Sequence, residues 1–177
     1  MVTPVSVSIV VAVVVLALAG MLWSWRRRGA AQRGLRLPQG EGGGPERAEA
    51  SGTYLATTFG GRPLERVSGA GLGFRARCRL AVTDHGLLVE LAGAQPFTVP
   101  AAVITGAGTG TWALDRAVEQ GGLLIVAWAL EDAGTAVPVE SAFRLDAHGQ
   151  AAVLAALHEL VQSAVQDAAD HPTPGGA

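Results

Sequence analysis

The sequence contains no lysine, so its 13 positive charges are all arginines, set against 15 acidic residues. A phosphate-binding P-loop requires a lysine, so this class of nucleotide site is excluded. There is one cysteine, Cys78, which excludes an intramolecular disulfide framework. The net charge of −2 provides no positive excess for a nucleic-acid partner, and we expect none.

Charge is also absent from residues 5–25, which read VSVSIVVAVVVLALAGMLWSW. About 20 consecutive apolar residues are needed for a helix to cross the ~30 Å hydrocarbon layer of a bilayer. This run therefore predicts a transmembrane helix, and residues 1–28 are interpreted as a membrane anchor. A cleaved signal peptide is the alternative, but no basic residue precedes the run.

The residues at the end of this run predict its orientation. Trp23 and Trp25 suit a membrane interface, and Arg26, Arg27 and Arg28 follow immediately. Because positive charge favours the cytoplasmic side, we expect the N-terminus outside. The sequence thus predicts a single-pass cell-membrane protein whose folded domain is cytoplasmic.

Beyond the arginines the composition changes twice. Residues 29–51 are rich in Gly, Pro and Glu and predict a flexible linker. Residues 52–168 carry short β-type runs separated by turn residues and predict a folded domain, while residues 169–177 predict a disordered tail. Seven strands are expected in that domain: Thr53–Phe59, Phe74–Thr83, Leu87–Leu91, Gln95–Val99, Val103–Trp112, Leu123–Leu130 and Val137–Leu145.

The pattern changes to a helical period after Asp146, a plausible N-cap. Residues 147–168 place Val153, Leu157 and Leu160 on one apolar stripe. Seven strands followed by one amphipathic helix is the element order of the pleckstrin-homology (PH) fold. The predicted fold class is therefore mainly β: a seven-stranded barrel or sandwich capped by a C-terminal helix, with the transmembrane helix in front.

The sequence also resembles the single-pass, PH-like membrane proteins of actinobacteria, whose function is unassigned. The similarity spans about residues 52–160 and is carried by five short motifs in a fixed order. These are Thr53-Tyr54-Leu55-Ala56-Thr57-Thr58, Gly71-Leu72-Gly73-Phe74-Arg75, Gly121-Gly122-Leu123-Leu124, Trp128 and Phe143-Arg144-Leu145. The resemblance implies a membrane-bound PH-like domain.

One arginine pattern is a candidate binding site. Arg75, Arg77 and Arg79 alternate along one predicted strand and so share a face, while Phe74 and Cys78 take the other. Guanidinium groups can bind phosphate oxygens bidentately, and Arg62 lies in the preceding loop. The pattern is interpreted first as a solvated strand face; the alternative is a lipid or phosphate contact at Arg62, Arg75, Arg77 and Arg79.

No catalytic, cofactor or metal motif is complete. The helix segment His158-Glu159-Leu160-Val161-Gln162 begins like a zinc-protease motif, but glutamine occupies the second ligand position. We therefore expect no enzyme activity, no cofactor and no metal. The expected function is a membrane-anchored, cytoplasmic interaction module that binds an unknown protein at the inner leaflet; the alternative is an anionic-lipid or phosphate-binding module using the arginine face.

Overall fold

The structure is a computed structural model that describes residues 13–21, 34–38, 44–110, 112–113, 116–117 and 122–170. The chain divides into two compact units, Met1–Arg33 and Gly34–Ala177. In the first unit, residues 13–21 form a helix, α1.

Among the described residues, no helix is both long enough and apolar enough to cross a membrane. The predicted N-terminal transmembrane helix is therefore wrong, and so is the single-pass cell-membrane location that followed from it. Of the predicted span, the described residues comprise the helical residues 13–21, which at about 1.5 Å per residue rise about 13 Å of the ~30 Å that must be crossed. Trp23, Trp25, Arg26, Arg27 and Arg28 lie outside the described residues.

The second unit is built mainly from β-strands, which confirms the mainly β part of the prediction. Its elements, in chain order, are β1 (Leu35–Arg36), β2 (Glu46–Phe59), β3 (Arg62–Arg66), β4 (Ala76–Thr83), β5 (Gly86–Leu91), β6 (Phe97–Pro100), a 3₁₀ turn (Ala101–Val103), β7 (Ile104–Gly110), β8 (Trp112–Ala113), β9 (Arg116–Ala117), β10 (Leu123–Asp132), β11 (Thr135–Leu145) and α2 (Ala147–Asp170).

The strand β2 joins the two halves of a half-barrel. Its first part pairs with β4, and its second part pairs with β11, both antiparallel. The order across the sheet is β1-β10-β11-β2-β4-β5-β6, with β7 paired to β10 and β3 paired to β2. Gly52 lies where β2 has partners on both sides, Cys78 and Leu145, and a side chain there would overlap the Arg144 carbonyl.

The residues before Thr53 contain more strand than the sequence predicted. The first predicted strand began at Thr53, but β2 begins at Glu46, and β1 also forms within residues 29–51. These residues are polar, so hydrophobicity alone indicated a linker. Glu46–Ala50 are instead held by backbone pairing to β4 and by acid–arginine contacts described below.

Pro138 lies in the first part of β11, which pairs with β10 alone up to the start of the β2 ladder. β11 lies between β10 and β2. The ladder between β11 and β2 ends at the pair Val139–Phe59, so Pro138 lies just beyond it and its missing N–H removes no bond there. The Pro138 carbonyl instead accepts the N–H of Gly60 at 2.8 Å.

The helix α2 packs against β2, β4 and β7 and covers the open side of the half-barrel. Its N-cap is confirmed, because the Asp146 carboxylate accepts the Gly149 N–H at 2.8 Å. The predicted apolar stripe is buried against the core. The core contains Leu80, Val82, Leu87, Val89, Leu124, Val126, Trp128, Val153, Leu157 and Leu160.

A chain of buried hydrogen bonds crosses this core. The Trp128 indole donates to Ser141 Oγ at 3.0 Å, Ser141 Oγ lies 2.7 Å from Thr57 Oγ1, and Thr57 Oγ1 lies 2.9 Å from Tyr54 Oη. The Tyr54 hydroxyl donates to the Leu72 carbonyl at 2.9 Å. An indole can only donate and a carbonyl can only accept, so the two ends set one direction in which each hydroxyl donates once and accepts once.

Loss of one hydroxyl from this chain should destabilise the fold. Ser141→Ala removes the acceptor of the Trp128 indole and leaves a buried N–H unpaired, so we expect a loss of about 1–3 kcal/mol in the free energy of unfolding. Urea denaturation measures it. Ser163→Ala, which removes an exposed hydroxyl on α2, is the control and should change stability by less than about 0.5 kcal/mol. Equal effects of the two variants would contradict the account.

Candidate functional site

The structure places the predicted arginine face differently from its sequence pattern. β4 begins at Ala76, so Arg77 and Arg79 share a face of the strand, while Arg75 lies just before it. Phe74, which the alternation placed with Cys78 on the opposite face, also precedes the strand and is 85% exposed. The apolar pattern made the strand look two residues longer, because alternation continues past the last pair of the ladder, Ala76–Tyr54.

Arg79 is surrounded by carboxylates. Its guanidinium lies 2.6 Å from Glu46 and Glu49 and 3.3 Å from Glu90, which belong to the neighbouring strands β2 and β5. Hydrogen bonds to Glu46, then Glu49, hold the pKa of this guanidinium above its ordinary value. The side chain thus connects three strands, and its charge is already neutralised, so it is a poor contact for a phosphate.

Arg62 is also partnered. It forms an ion pair with Glu65 at 2.7 Å and lies over the Phe59 ring, 5.2 Å from its centroid. Both members of the ion pair are more than half exposed, so the pair contributes little to stability. Arg66 in the same hairpin donates to the Leu55 carbonyl at 2.6 Å. The hairpin's arginines are therefore held by local contacts.

The sequence analysis missed a basic position on the same outer face. Thr53 on β2 pairs with Arg77 on one side and with Arg144 of β11 on the other. Directly opposite residues point to the same face of a sheet, so the two arginines flank Thr53. Both are exposed, and neither has an ion pair within the described part of the chain. Only strand pairing, which a sequence pattern does not contain, brings them together.

A second surface is the outer edge of β7. Within the described residues, β7 pairs with β10 alone, so its other edge has no strand partner. α2 packs beside β7, and the His158 Nε2 atom lies 3.0 Å from the Ala107 carbonyl oxygen. His158 is exposed and also contacts this strand. Gly106 and Gly108 have open space where a side chain would lie.

The described part of the chain offers few candidates for a metal ligand set or a nucleophile. Those residues contain no cluster of three or more His, Cys, Asp or Glu side chains that could hold a metal ion. Cys78 is buried, and burial raises the pKa of its thiol to about 11. A thiol with that pKa is a weak nucleophile at neutral pH because the thiolate is the reactive form.

Comparison with known families agrees with this architecture. Residues 34–159 match the family described as Bacterial PH domain-like. The chain belongs to the bacterial PH domain-like family. The match begins at Gly34, ahead of the start predicted at residue 52, and it includes β1. No individually curated protein matches the chain.

Family membership supports part of the resemblance drawn from the sequence. It confirms the PH-like domain, and PH-like domains are generally interaction modules without catalytic activity. It does not support the actinobacterial and single-pass parts of that resemblance. The candidate surfaces of this family member are thus the outer face around Thr53 and the edge of β7.

Removal of Arg79 should expose the repulsion among its three carboxylate partners. We expect Arg79→Gln to lower the free energy of unfolding by about 1 kcal/mol at low salt and by less at 1 M salt, because screening weakens the repulsion. Chemical denaturation at both salt concentrations measures it. Arg62→Gln removes one exposed pair and should change stability by less than about 0.5 kcal/mol. A salt-independent loss at Arg79 would contradict this account.

Cys78 should make stability sensitive to alkaline pH. The unfolded thiol ionises near its ordinary pKa of 9.0, whereas the folded thiol keeps its proton to about 11. The contribution of this group to stability is thus full below pH 9 and is lost between pH 9 and 11, by about 1–3 kcal/mol. Denaturation of the wild type and of Cys78→Ala across this range tests it. The variant should show the shallower decline, and parallel curves would contradict the assignment.

Proposed function

We propose that this PH-like domain is a protein-interaction module that binds an extended peptide along the open edge of β7. The observation that carries the proposal is the position of β7: one edge pairs with β10, and the other lies beside α2 with no described strand partner. An edge strand presents unpaired N–H and C=O groups, and a peptide can satisfy them by adding one more strand.

The composition of β7 suits strand addition. Its sequence, ITGAGTG, places small residues along the edge, and no atom lies within 4 Å of the positions that side chains on Gly106 and Gly108 would take. A peptide backbone can therefore approach closely. The His158 contact with the Ala107 carbonyl occupies one acceptor of this strand, and an exposed histidine can turn away when a peptide arrives.

The adjoining face of α2 supports a preference for apolar side chains. Leu154, Val161 and Val165 follow one another at helical spacing on the side that carries His158. Leu154 and Val161 are half-buried against the core, and Val165 is 65% exposed. Main-chain pairing with β7 would provide affinity, and this stripe would provide specificity for an apolar side chain on every second residue of the peptide.

The alternative function is an anionic-lipid or phosphate-binding module using Arg75, Arg77 and Arg79. It is disfavoured in that form because Arg79 is already held by three glutamates. The peptide-binding proposal does not depend on these arginines, so the two functions can be tested separately.

A charge placed on the apolar stripe of α2 beside β7 should block peptide binding. We expect Val165→Glu to weaken peptides selected on the full chain from a random displayed library by at least ~10-fold, because a carboxylate buried against apolar side chains is costly. Fluorescence anisotropy of labelled peptides measures the change. Val165 is exposed, so the substitution should leave the fold intact, which thermal unfolding verifies.

The matched control is Ser163→Glu. It adds the same charge to an exposed position of the same helix, about 160° around the helix axis from Val165. Its affinity should stay within ~2-fold of the wild type. The proposal would be wrong if both variants lost affinity equally, or if selection yielded no peptide that distinguishes the wild type from Val165→Glu.

A further inference from the structure

We infer that the outer face of the sheet carries a phosphate-binding site formed by Arg77 and Arg144 on either side of Thr53, with Arg75 beside them. This site is separate from the proposed peptide site on β7 and α2 and shares no residue with it. It also differs from the arginine set that the sequence indicated, because Arg144 comes from another strand and Arg79 is not part of it.

The geometry of the site follows from strand register. Thr53 is the direct partner of Arg77 on β4 and of Arg144 on β11. Opposed Cα atoms in antiparallel strands lie about 4.5–5.5 Å apart, so the two arginine Cα atoms are about 10 Å apart across β2. Two long side chains at that spacing can converge on one anion, with the Thr53 hydroxyl between them.

The electrostatics of this face separate two kinds of arginine. Arg79 has three acidic partners, and Arg47 and Arg62 have one each, Asp84 and Glu65. Arg75, Arg77 and Arg144 are exposed and have no ion pair within the described residues. Two nearby carboxylates have other partners: Glu90 contacts Arg79, and Asp146 caps α2.

A phosphate group is the ligand that this arrangement fits. Guanidinium groups bind phosphate oxygens through two parallel hydrogen bonds, and two such groups plus a hydroxyl satisfy several oxygens of one dianion. A shallow depression next to Arg77 is bordered by Arg79 and Glu90 and not by Arg144, so it is not part of this site. The phosphate could belong to a lipid headgroup or to a small dissolved phosphate compound, and the experiment distinguishes these sources.

The test compares two double variants of the full chain that lose the same charge. Arg77→Gln/Arg144→Gln removes the unpaired arginines, and Arg47→Gln/Arg62→Gln removes two ion-paired ones. Calorimetry measures binding of inorganic pyrophosphate, and flotation measures binding to phosphatidylcholine vesicles with and without phosphatidic acid. All titrations are done near 0.15 M ionic strength, where exposed charges more than about 8 Å apart are screened.

We expect the wild type to bind at least one of the two probes, and the Arg77/Arg144 variant to lose at least ~10-fold in affinity. The Arg47/Arg62 variant should remain within ~2-fold. Binding to pyrophosphate alone would identify a dissolved phosphate compound as the ligand, and binding to phosphatidic acid vesicles alone would identify a lipid headgroup. Absence of binding to both probes, or equal losses in the two variants, would overturn the inference.

Discussion

The long strand β2 is the element on which the rest of the unit depends, because it pairs with β4 along one part and with β11 along the other. Tyr54 and Thr57 lie on it, and their hydroxyls continue the buried hydrogen-bond chain from Trp128 to the Leu72 carbonyl. A one-residue slip of β2 would turn these groups to the outer face and leave buried partners unpaired. The chain of bonds therefore selects one register for both halves of the sheet.

Both proposed surfaces follow from that register. With β2 in place, Arg77 and Arg144 are brought to either side of Thr53, although they are far apart in sequence. The same arrangement leaves β7 at the end of the sheet, paired only with β10 among the described strands, and α2 returns beside it. One surface offers positive charge and the other offers backbone groups and apolar side chains, so they suit different ligands.

Local pattern predicted the seven main strands and the C-terminal helix, because each has its own apolar period and turn residues. The prediction failed at residues whose secondary structure or charge environment depends on contacts with other strands. Glu46–Ala50 look like linker but form a strand held to β4, and Arg79 looks like part of a basic face but is neutralised by acids from two other strands. The apolar run at residues 5–25 predicted a spanning helix that the described residues do not contain. Arg144 could not be assigned to the outer site without the pairing of β11 with β2.

The most direct test of the peptide-binding account is hydrogen exchange of the β7 amides, residue by residue, with and without a selected peptide. In the free protein, alternate amides of Ile104–Gly110 should exchange quickly because they point to the open edge, while those paired with β10 are protected. Added peptide should protect the fast set and leave the outer face around Thr53 unchanged. Uniform protection of β7 in the free protein, or peptide-induced protection confined to other strands, would contradict the account.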